Sequence, residues 1–528
     1  MKHSRWPGLL GAGLLAGLVA ALLMTLLMAL LRAALGIPSP SELVGERIVP
    51  NLTIEQFFSL FERVGGYNNL KKLGVAGVIA GQITLGGLAG LLYAIVVERG
   101  RRRAPEQRWR WGVSRGGWLT VALLAAIAWS VSLAVLWPTL GANFRGLPPG
   151  SARRAAVLAL LVDYSVFGLT LALSYRALIT PPSLQQPSAV GGRPITRRAA
   201  LLGGAGLALA LASGAIIRRM YQRATFSYDG LRYRGPEIQP ITPNDQFYCV
   251  TKNVVDPSVA ASAWRLEIGG LVAQPRTYRF ADLQALPATR QETTLMCISN
   301  GVGDGLMSNA IWTGVPLATL LEAAQPQPGV VELLLHGADG YTDTFPLAKA
   351  LEPTTMVVYE MNGEPLPERH GYPVRIITPG MYGEKNVKWV TRIELIGYDA
   401  KGFYEQQGWG PNFVIPIFAR FDGPNIDQPL PVGQTAAIIG VAFAGDQGVS
   451  RVEVSVDGGA SWNDATITYP GTRLSWAHWR YDWRPSQPGE YRWVVRARDG
   501  SGKLQTEQER GITPQGATGY HKLTVRVA

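Results

Sequence analysis

Cysteine is the residue type in this sequence best suited to bind a soft metal, and the chain contains 2 of them, Cys249 and Cys297. Because cysteine-ligated zinc and iron–sulfur sites need several thiolates, such sites and a disulfide scaffold are excluded. Cys297 lies in the segment Thr294-Leu-Met-Cys-Ile-Ser-Asn-Gly301, after a predicted strand. A buried free cysteine is usually a small hydrophobe, whereas the polar, glycine-rich flank here favours an accessible thiolate. The residues alone leave both interpretations of Cys297 open.

The apolar first part of the chain contains a second candidate, Asp163. A charge in the middle of a membrane span is costly and often functional, and a protonated or hydrogen-bonded contact between helices is the alternative. Before His336 the only histidine is His3, so a membrane haem with two histidine ligands cannot be built from these helices. Electrons that cross this part of the protein would need another subunit or a quinone.

The segment Thr196-Arg197-Arg198-Ala199-Ala200-Leu201 resembles a twin-arginine export signal. That pathway moves folded domains that already hold their cofactor. Arginines that remain on the cytoplasmic side of a membrane explain the pair equally well.

Composition describes the elements that must position these residues. The chain has 528 residues, which suggests two to four domains. Hydrophobic residues make up 47% and charged residues only 17%, below the roughly one quarter that is usual for soluble proteins. The net charge is +12, but the arginines cluster beside apolar runs and not on one folded face. We therefore predict a membrane partner and no nucleic acid.

The first 220 residues predict a membrane domain of about five transmembrane helices, because each apolar run is close to the roughly 20 residues that cross the hydrocarbon. The runs are Gly8–Leu31, Leu73–Val97, Trp118–Trp137, Ala155–Tyr175 and Ala199–Ile217.

The charges in the loops predict the orientation of these helices. The segments 98–116 and 176–198 are rich in arginine, and the second contains no acid, so both are expected in the cytoplasm. The loop 36–72 carries both signs and is expected outside. With the amino terminus inside and five spans, everything after Ile217 lies on the extracytoplasmic side.

The soluble half divides into two predicted domains. Residues 221–418 interleave strands with short helices, which indicates a mixed α+β domain. The predicted strands are Trp264–Ile268, Val331–Leu335, Thr354–Tyr359, Val374–Ile377 and Trp389–Leu395, and the helices are Phe280–Leu286 and Pro316–Ala324. Residues 419–528 contain short strands separated by turns such as Asp457-Gly458-Gly459, which favours an all-β immunoglobulin-like sandwich.

The soluble half resembles the sulfite oxidase family of molybdopterin enzymes over roughly residues 240–528. The resemblance depends on motifs that occur in the family's order. They are Asn244-Asp-Gln-Phe-Tyr-Cys249, Trp264-Arg-Leu-Glu-Ile-Gly-Gly270, Cys297-Ile-Ser-Asn300, Ile311-Trp-Thr-Gly-Val-Pro-Leu317, Tyr359-Glu-Met-Asn-Gly-Glu-Pro-Leu366, His370-Gly-Tyr-Pro-Val-Arg375, Pro379-Gly380, Asn386-Val-Lys-Trp389 and Val452-Glu-Val-Ser-Val-Asp-Gly-Gly459. Each motif alone is weak, and the ordered set is strong.

The resemblance implies a molybdenum cofactor, molybdopterin, with Cys297 as the thiolate ligand of the metal and the catalytic residue. It implies cofactor-binding roles for Asp245, Tyr248, Cys249, Asp339, His370, Arg375, Asn386, Val387 and Lys388. Arg375 can fork onto a phosphate and Lys388 supplies a point charge. A structural ion pair under a loop is the alternative for His370 and Arg375. The carboxy-terminal domain resembles the family's dimerisation domain, which implies a possible homodimer.

Two departures from the family argue against sulfite as the substrate. Sulfite oxidases carry arginine after Cys-x-x-Asn, where this chain has Gly301, and a catalytic tyrosine where it has Ala400. Lys385, Tyr398 or Arg451 could replace either residue.

These inferences predict a membrane-anchored, extracytoplasmic oxidoreductase that transfers an oxygen atom to or from a small molecule, with a quinone or cytochrome as separate electron partner. One alternative is a reductase of sulfoxides or oxidised methionine with the same cofactor. The other is a non-catalytic surface binding protein whose sandwich contacts a partner.

Overall fold

The computed structural model describes residues 6–103, 113–179, 212, 215–216 and 218–528. Its described residues form two compact units. The first consists of Met1–Ile48, Phe61–Phe144 and Gly150–Ala224, and the second of Val49–Leu60, Arg145–Pro149 and Thr225–Ala528. Two short segments from the amino-terminal half therefore belong to the unit that contains the soluble domains.

The amino-terminal half is helical. Its helices are α1 (Trp6–Leu35), α2 (Pro40–Ile48), α3 (Ile54–Arg63), α4 (Tyr67–Arg103), α5 (Arg115–Leu136) and α6 (Pro149–Ile179). Of these, 4 are long and apolar enough to cross a membrane, namely α1, α4, α5 and α6. They contain the first four predicted spans. The fifth predicted span and the twin-arginine segment lie outside the described residues, apart from a few positions at the end of the span.

Helices α1 and α4 pack closely through glycines. A Cβ atom on Gly17 would lie 2.2 Å from the carbonyl oxygen of Gly86, and one on Gly90 would lie 2.1 Å from that of Gly13. Small residues let two helix backbones approach, which is how helices gain van der Waals contact where water is absent. On α6, Asp163 is buried at 3% exposure, and its Oδ1 atom has no hydrogen-bond partner among the described residues.

Two sheets build the domain that follows. The first has the order β2-β1-β10-β5-β6, and the second the order β3-β4-β7-β8 with β9 paired to β7. The strands are β1 (Arg265–Gly270), β2 (Arg276–Arg279), β3 (Thr289–Met296), β4 (Met307–Pro316), β5 (Glu332–Gly337), β6 (Thr342–Pro346), β7 (Met356–Met361), β8 (Glu364–Pro365), β9 (Arg375–Ile377) and β10 (Val390–Ile396), and the helices are α7 (Phe280–Gln284), α8 (Leu317–Ala324) and α9 (Leu347–Ala350). Alternating residues such as Leu333 and Leu335 bury one face of β5 in the core.

Two antiparallel four-stranded sheets, β11-β12-β16-β15 and β14-β13-β17-β18, form a carboxy-terminal β-sandwich. The strands are β11 (Phe418–Gly423), β12 (Ala436–Phe443), β13 (Val449–Ser455), β14 (Asn463–Asp464), β15 (Thr466–Tyr469), β16 (Ala477–Trp483), β17 (Gly489–Asp499) and β18 (His521–Val527). Trp479 and Trp493 lie in the core between the sheets. The prediction of a mainly β carboxy-terminal sandwich is confirmed.

Candidate active site

Cys297 lies directly after β3, in the loop that returns to β4. The loop is held by its own backbone, since the Cys297 amide donates to the Leu306 carbonyl at 2.9 Å. The side chain of Asn300 accepts a hydrogen bond from the Leu306 amide at 2.8 Å. The Cys297 sulfur lies 3.1 Å from the Ser299 hydroxyl oxygen, and the residue keeps partial exposure. The antiparallel pair β3 and β4 thus presents one thiol at the end of a rigid hairpin.

The surroundings of Cys297 hold its thiol protonated in the absence of a cation. Burial and the carboxyl of Glu384, opposed by the hydrogen bond with Ser299, raise the pKa of the thiol to about 11. A bound metal ion reverses such a preference, because it deprotonates a coordinating thiol. Cys297 is therefore suited to be a soft metal ligand whose thiolate forms when the metal binds.

Arg375 is a buried guanidinium at the start of β9, with 4% exposure. Its Nη1 and Nη2 atoms donate to the carbonyls of His370 and Asn386 at 3.1 and 3.0 Å. The guanidinium carbon lies 5.1 Å from the centre of the Trp312 ring. Within the described parts of the chain no carboxylate pairs with Arg375, and its Nε atom has no partner. Burial lowers the pKa of Arg375 to about 10, so the side chain remains a cation that lacks an anion. The predicted alternative was a structural ion pair under a loop, and among the described residues neither His370 nor Arg375 forms an ion pair with a carboxylate.

His370 and Arg369 hold the Asn244-Asp245 turn beside Arg375. The His370 Nε2 atom lies 3.1 Å from the Asn244 carbonyl oxygen, and Arg369 donates to the carbonyls of Asn244 and Asp245. Burial lowers the pKa of His370 well below its usual value, and Arg375 and other cations lower it further, so the imidazole is neutral. The Asp245 side chain is exposed, so this residue contributes its carbonyl to the turn.

Lys388 lies on the same side of the domain as Arg369 and Cys249. Its ammonium donates to the Arg369 carbonyl at 3.1 Å and lies 4.4 Å from the centre of the Trp389 ring. The Cys249 thiol is 3.9 Å from that same carbonyl. Burial raises the pKa of Cys249 to about 11, although the Lys388 charge lowers it. Cys249 is thus a buried thiol beside the cation, separate in the chain from the hairpin of Cys297.

The remaining predicted residues lie in the network that supports these groups. The Asn386 side chain accepts from the Thr378 amide at 2.7 Å and donates to the Tyr382 carbonyl at 3.0 Å, so both of its polar atoms hold the loop. Val387 is buried in the core at 1% exposure. The Asp339 carboxylate accepts a hydrogen bond from the side-chain amide of Asn253 at 3.0 Å. The Tyr248 hydroxyl lies against Gly383, where an added Cβ atom would be 2.4 Å away.

Sequence reasoning missed three polar groups near Cys297. Asn300 Nδ2, the Tyr382 hydroxyl and Glu384 Oε1 are buried without a hydrogen-bond partner in the described structure. Asn300 ends the Cys-x-x-Asn motif, which was a signal for it. Nothing in the local pattern around Tyr382 and Glu384 predicts their burial.

The two departures from the sulfite oxidase pattern are visible in the structure. A Cβ atom at Gly301 would meet only the Cβ of Asp304, at 3.9 Å, so a side chain would fit but none is present. Ala400 offers only its backbone, which donates to Glu332 at 3.2 Å.

The three residues that were suggested as substitutes for the missing arginine and tyrosine either pair with carboxylates or lie at the surface. Lys385 donates to Asp343 at 2.6 Å and also pairs with Glu405. Arg451 is at the surface, paired with Asp464 at 2.5 Å, and Tyr398 is 61% exposed.

Comparison with known families decides what this arrangement is. Residues 253–404 match the model of the oxidoreductase molybdopterin-binding domain, and residues 422–528 match that of the Mo-co oxidoreductase dimerisation domain. The carboxy-terminal half of the chain therefore consists of the two domains of a molybdopterin-dependent oxidoreductase and is similar to the sulfite oxidases. The match implies a molybdenum cofactor for the domain that contains Cys297 and Arg375.

Several curated proteins are similar to this chain. The mitochondrial sulfite oxidase of Drosophila melanogaster is 28% identical over 54% of this chain and 59% of its own length. The sulfite oxidase of Arabidopsis thaliana is 26% identical over 48% of this chain and 76% of its own. The nitrate reductase [NADPH] of Fusarium oxysporum is 31% identical over 39% and 28% respectively. The chain spans about three fifths of the mitochondrial relatives it matches.

A solved structure of similar fold is the sulfane dehydrogenase SoxCD from Paracoccus pantotrophus. The likeness covers 55% of this chain and 82% of that one, with a TM-score of 0.50 and 25% identity.

The residues present fit a molybdenum pterin on the observations of this structure. The buried Arg375 has a free Nε atom and no carboxylate, which suits the phosphate of a cofactor. The partly exposed Cys297 supplies the soft ligand that such a metal prefers.

Proposed function

We propose that this protein is a membrane-anchored, extracytoplasmic oxidoreductase that transfers an oxygen atom to or from a small neutral molecule, and that sulfite is not its substrate. The observation that carries the proposal is that one family domain contains both a partly exposed thiol, Cys297, and a buried arginine, Arg375, for which the described residues supply no counter-anion. The family domains supply the cofactor chemistry, and the departures at Gly301 and Ala400 support a different substrate.

Each residue has a role that follows from its contacts. Cys297 binds the metal through its thiolate. Arg375 and Lys388 bind the phosphate end of the cofactor, and the neutral His370 hydrogen-bonds its polar ring or chain atoms. The bound molybdenum supplies two-electron oxygen-atom chemistry.

A second set of residues fixes the shape of the cradle. Asn386 and Val387 hold Arg375 and the neighbouring strand, because the Ile376 amide donates to Val387 at 2.9 Å. Asp339 anchors the turn next to the backbone of Lys388. The remaining proposed contacts come from the first family motif itself, at Asp245, Tyr248 and Cys249.

The substrate proposal follows from the charges near the site. An oxidised sulfur anion needs cationic donors held close to the metal. Lys385 is occupied by two carboxylates, Arg451 by Asp464, and the position of the family arginine is a glycine. The relatives include sulfite oxidases, a nitrate reductase and a sulfane dehydrogenase by name, so the family fold is used with more than one substrate. A reductase of sulfoxides or oxidised methionine is the second candidate, favoured by the same lack of anion-binding groups.

The orientation proposal rests on charge and on two loops. The arginine-rich segments 98–116 and 176–198 favour the cytoplasm. Val49–Leu60 and Arg145–Pro149, which join the candidate spans on the opposite side, belong to the same compact unit as the family domains. Both facts support a multi-pass protein whose catalytic domain is extracytoplasmic, with domains 1–220, 221–418 and 419–528.

The partners are proposals as well. We propose that the immunoglobulin-like sandwich 419–528 forms a homodimer, as its family name indicates for the domain. Electrons would pass to or from a quinone or a cytochrome.

The deciding experiment is cofactor and substrate analysis of the full chain purified in detergent. Metal analysis and pterin fluorescence should find one molybdenum and one pterin per chain. A screen should then compare sulfoxides and N-oxides with a reduced viologen donor against sulfite and other reduced substrates with ferricyanide. If the protein is produced in a host that makes the cofactor and the purified protein contains neither molybdenum nor pterin, the proposal is refuted.

A further inference from the structure

Glu384 is a buried carboxyl that the function proposed above leaves without a task. It lies in the short 3-10 turn Gly383–Lys385, between β9 and β10. Its Oε1 atom is inaccessible and has no hydrogen-bond partner among the residues that the structure describes. No lysine or arginine in the described residues forms an ion pair with it. A buried carboxyl in this state is costly unless it is neutral or has a function.

The turn that carries Glu384 lies against the segment that carries Cys297. A Cβ atom added to Gly383 would lie 2.4 Å from the Tyr248 hydroxyl oxygen and 3.4 Å from the carbonyl oxygen of Met296, the residue before Cys297. Glu384 is also the charged side chain that most strongly raises the pKa of the Cys297 thiol, after burial. The turn of Glu384 and the segment of Cys297 are therefore neighbours, and the carboxyl and the thiol interact electrostatically.

A count of charges explains why Glu384 keeps its proton. Lys385 is the one ammonium within this buried cluster of described residues, and it pairs with Asp343 at 2.6 Å and with Glu405. The Asp343 carboxylate also accepts from the Tyr341 hydroxyl at 2.6 Å. The carboxylates of Asp343 and Glu405 already outnumber the single ammonium of Lys385, so a third negative charge on Glu384 would have no cationic partner. Burial and the Asp343 charge accordingly raise the pKa of Glu384 to about 8.

The other groups that face Glu384 do not change this outcome. Tyr341, Tyr382 and Tyr248 contribute hydroxyls whose pKa values are raised by burial, so they stay neutral. The Tyr341 hydroxyl donates to Asp343 at 2.6 Å and lies 3.2 Å from the backbone carbonyl oxygen of Glu384, so it has no proton left for the Glu384 carboxyl. The position of the family tyrosine, Ala400, has no hydroxyl at all.

We propose that Glu384 is the residue that exchanges a proton with the substrate oxygen, in the place of the tyrosine that Ala400 lacks. The inference rests on the proposed function and adds the proton donor to it. In the reducing direction a neutral oxide R–O takes up two electrons from the external donor and two protons, and leaves as R and water. The Glu384 carboxyl gives one of these protons to the oxygen and regains one from solvent, which also supplies the second. The oxidising direction reverses each transfer.

Glu384→Gln tests the proposal, since glutamine keeps the shape and cannot exchange the proton. Full-length wild type and variant are compared for molybdenum content and for the rate of reduction of dimethyl sulfoxide, methionine sulfoxide and trimethylamine N-oxide by reduced methyl viologen. We expect equal molybdenum content and a fall in kcat of roughly 10²–10⁴-fold. Wild-type kcat should fall as the pH rises, and the variant should lose this dependence. Glu384→Asp should recover part of the rate, and Glu322→Gln, an exposed acid on α8, should behave as wild type.

A spectroscopic measurement keeps the result independent of turnover. The infrared spectrum of cofactor-free wild type at neutral pH should contain the carbonyl band of a protonated carboxylic acid that is missing from Glu384→Gln and present in Glu322→Gln. Absence of that band, or wild-type kcat and pH profile in Glu384→Gln, would overturn the proposal. If Glu384→Gln takes up no molybdenum, the band and the pH profile of Glu384→Asp decide. Wild type without molybdenum would instead refute the proposed function, and the band would still show whether Glu384 holds a proton.

Discussion

At the scale of single residues, the site combines groups that are each unfavourable without a ligand. Cys297 is a thiol that burial keeps protonated, and Arg375 is a buried cation without an anion. Asn300 keeps an amide hydrogen without an acceptor in the described structure. Such unpartnered groups cost about 1–3 kcal/mol each when nothing binds them. Cofactor binding should therefore stabilise the domain as well as equip it for chemistry.

Cys297→Ser should abolish activity while the protein still folds. A serine hydroxyl is a hard and poorly ionised ligand, so it does not replace the thiolate on a soft metal. Steady-state turnover and the electronic spectrum of the metal measure the effect. Cys249→Ser is the matched control, because Cys249 is buried near Lys388 and is not the proposed ligand; its metal spectrum should be unchanged. Wild-type turnover in Cys297→Ser would refute the assignment.

Sulfite should be a poor substrate because the chain lacks the family arginine and tyrosine. Losing one charged hydrogen bond from a buried site costs about 1.5–3 kcal/mol, or roughly one to two decades in kcat/KM. Sulfite oxidation by ferricyanide measures this directly.

A sulfite kcat/KM in the range of roughly 10⁴–10⁸ M⁻¹s⁻¹ would contradict that expectation. In that case Arg510, whose guanidinium binds the carbonyls of Gly516 and Gln515, is the cation to replace first. Its charge lowers the pKa of Tyr382, so it lies within electrostatic reach of the pocket.

At the scale of elements, one buried ion pair connects the sandwich to the loop of Cys297. Arg420 and Asp422 on β11 are both fully buried at the side chain and 3.0 Å apart. Arg420 also donates to the carbonyls of Asp304 and Tyr233 at 2.9 Å. The strand β11 thus fixes the loop that follows the thiol.

Arg420→Met should destabilise the protein by about 3–5 kcal/mol, because it leaves the Asp422 carboxylate buried without its partner. Thermal unfolding of the full chain measures the loss. Arg480→Met provides the comparison, since Arg480 pairs with Asp482 at the surface, with 49% and 54% exposure, and such pairs contribute about 0–1 kcal/mol. Equal unfolding temperatures for the two variants would show that the buried pair contributes no more than the exposed one.

The elements also show what the sequence could and could not reveal. Strand-like runs of apolar residues predicted β5 and β10 within one or two residues of their observed ends, because the propensity for a buried strand lies in neighbouring positions of the sequence. The segment 36–72 was predicted only as a connection between two spans, and the structure forms α2 and α3 within it. Nothing in the sequence singled out Glu384, because the neighbouring cluster of Asp343, Lys385 and Glu405 brings together residues that are far apart in the chain.

At the scale of the whole molecule, the orientation in the membrane is the main open prediction. A reporter that requires the cytoplasm should be active when it is fused after Arg103. A reporter that requires the extracytoplasmic side should be active when it is fused after Met220. The arginine-rich loops are the physical reason, since they resist translocation. The reverse pattern of activities would overturn the orientation and place the catalytic domain inside.

Val49–Leu60 and Arg145–Pro149, the two segments of the amino-terminal half that belong to the second compact unit, limit how this protein can be divided into fragments. Ile54 of α3 lies in one apolar cluster with Trp409 and Phe413, and the ring of Phe58 lies 6.2 Å from that of Trp409. On the other loop, Gly146 lies so close to Val259 that a Cβ atom there would come within 2.5 Å of it. A fragment that starts at residue 221 would contain all of the proposed cofactor-binding residues. It would leave these apolar surfaces exposed to solvent and prone to aggregate. Biochemists who want a tractable enzyme should therefore solubilise the intact chain, or supply residues 49–60 as a separate peptide.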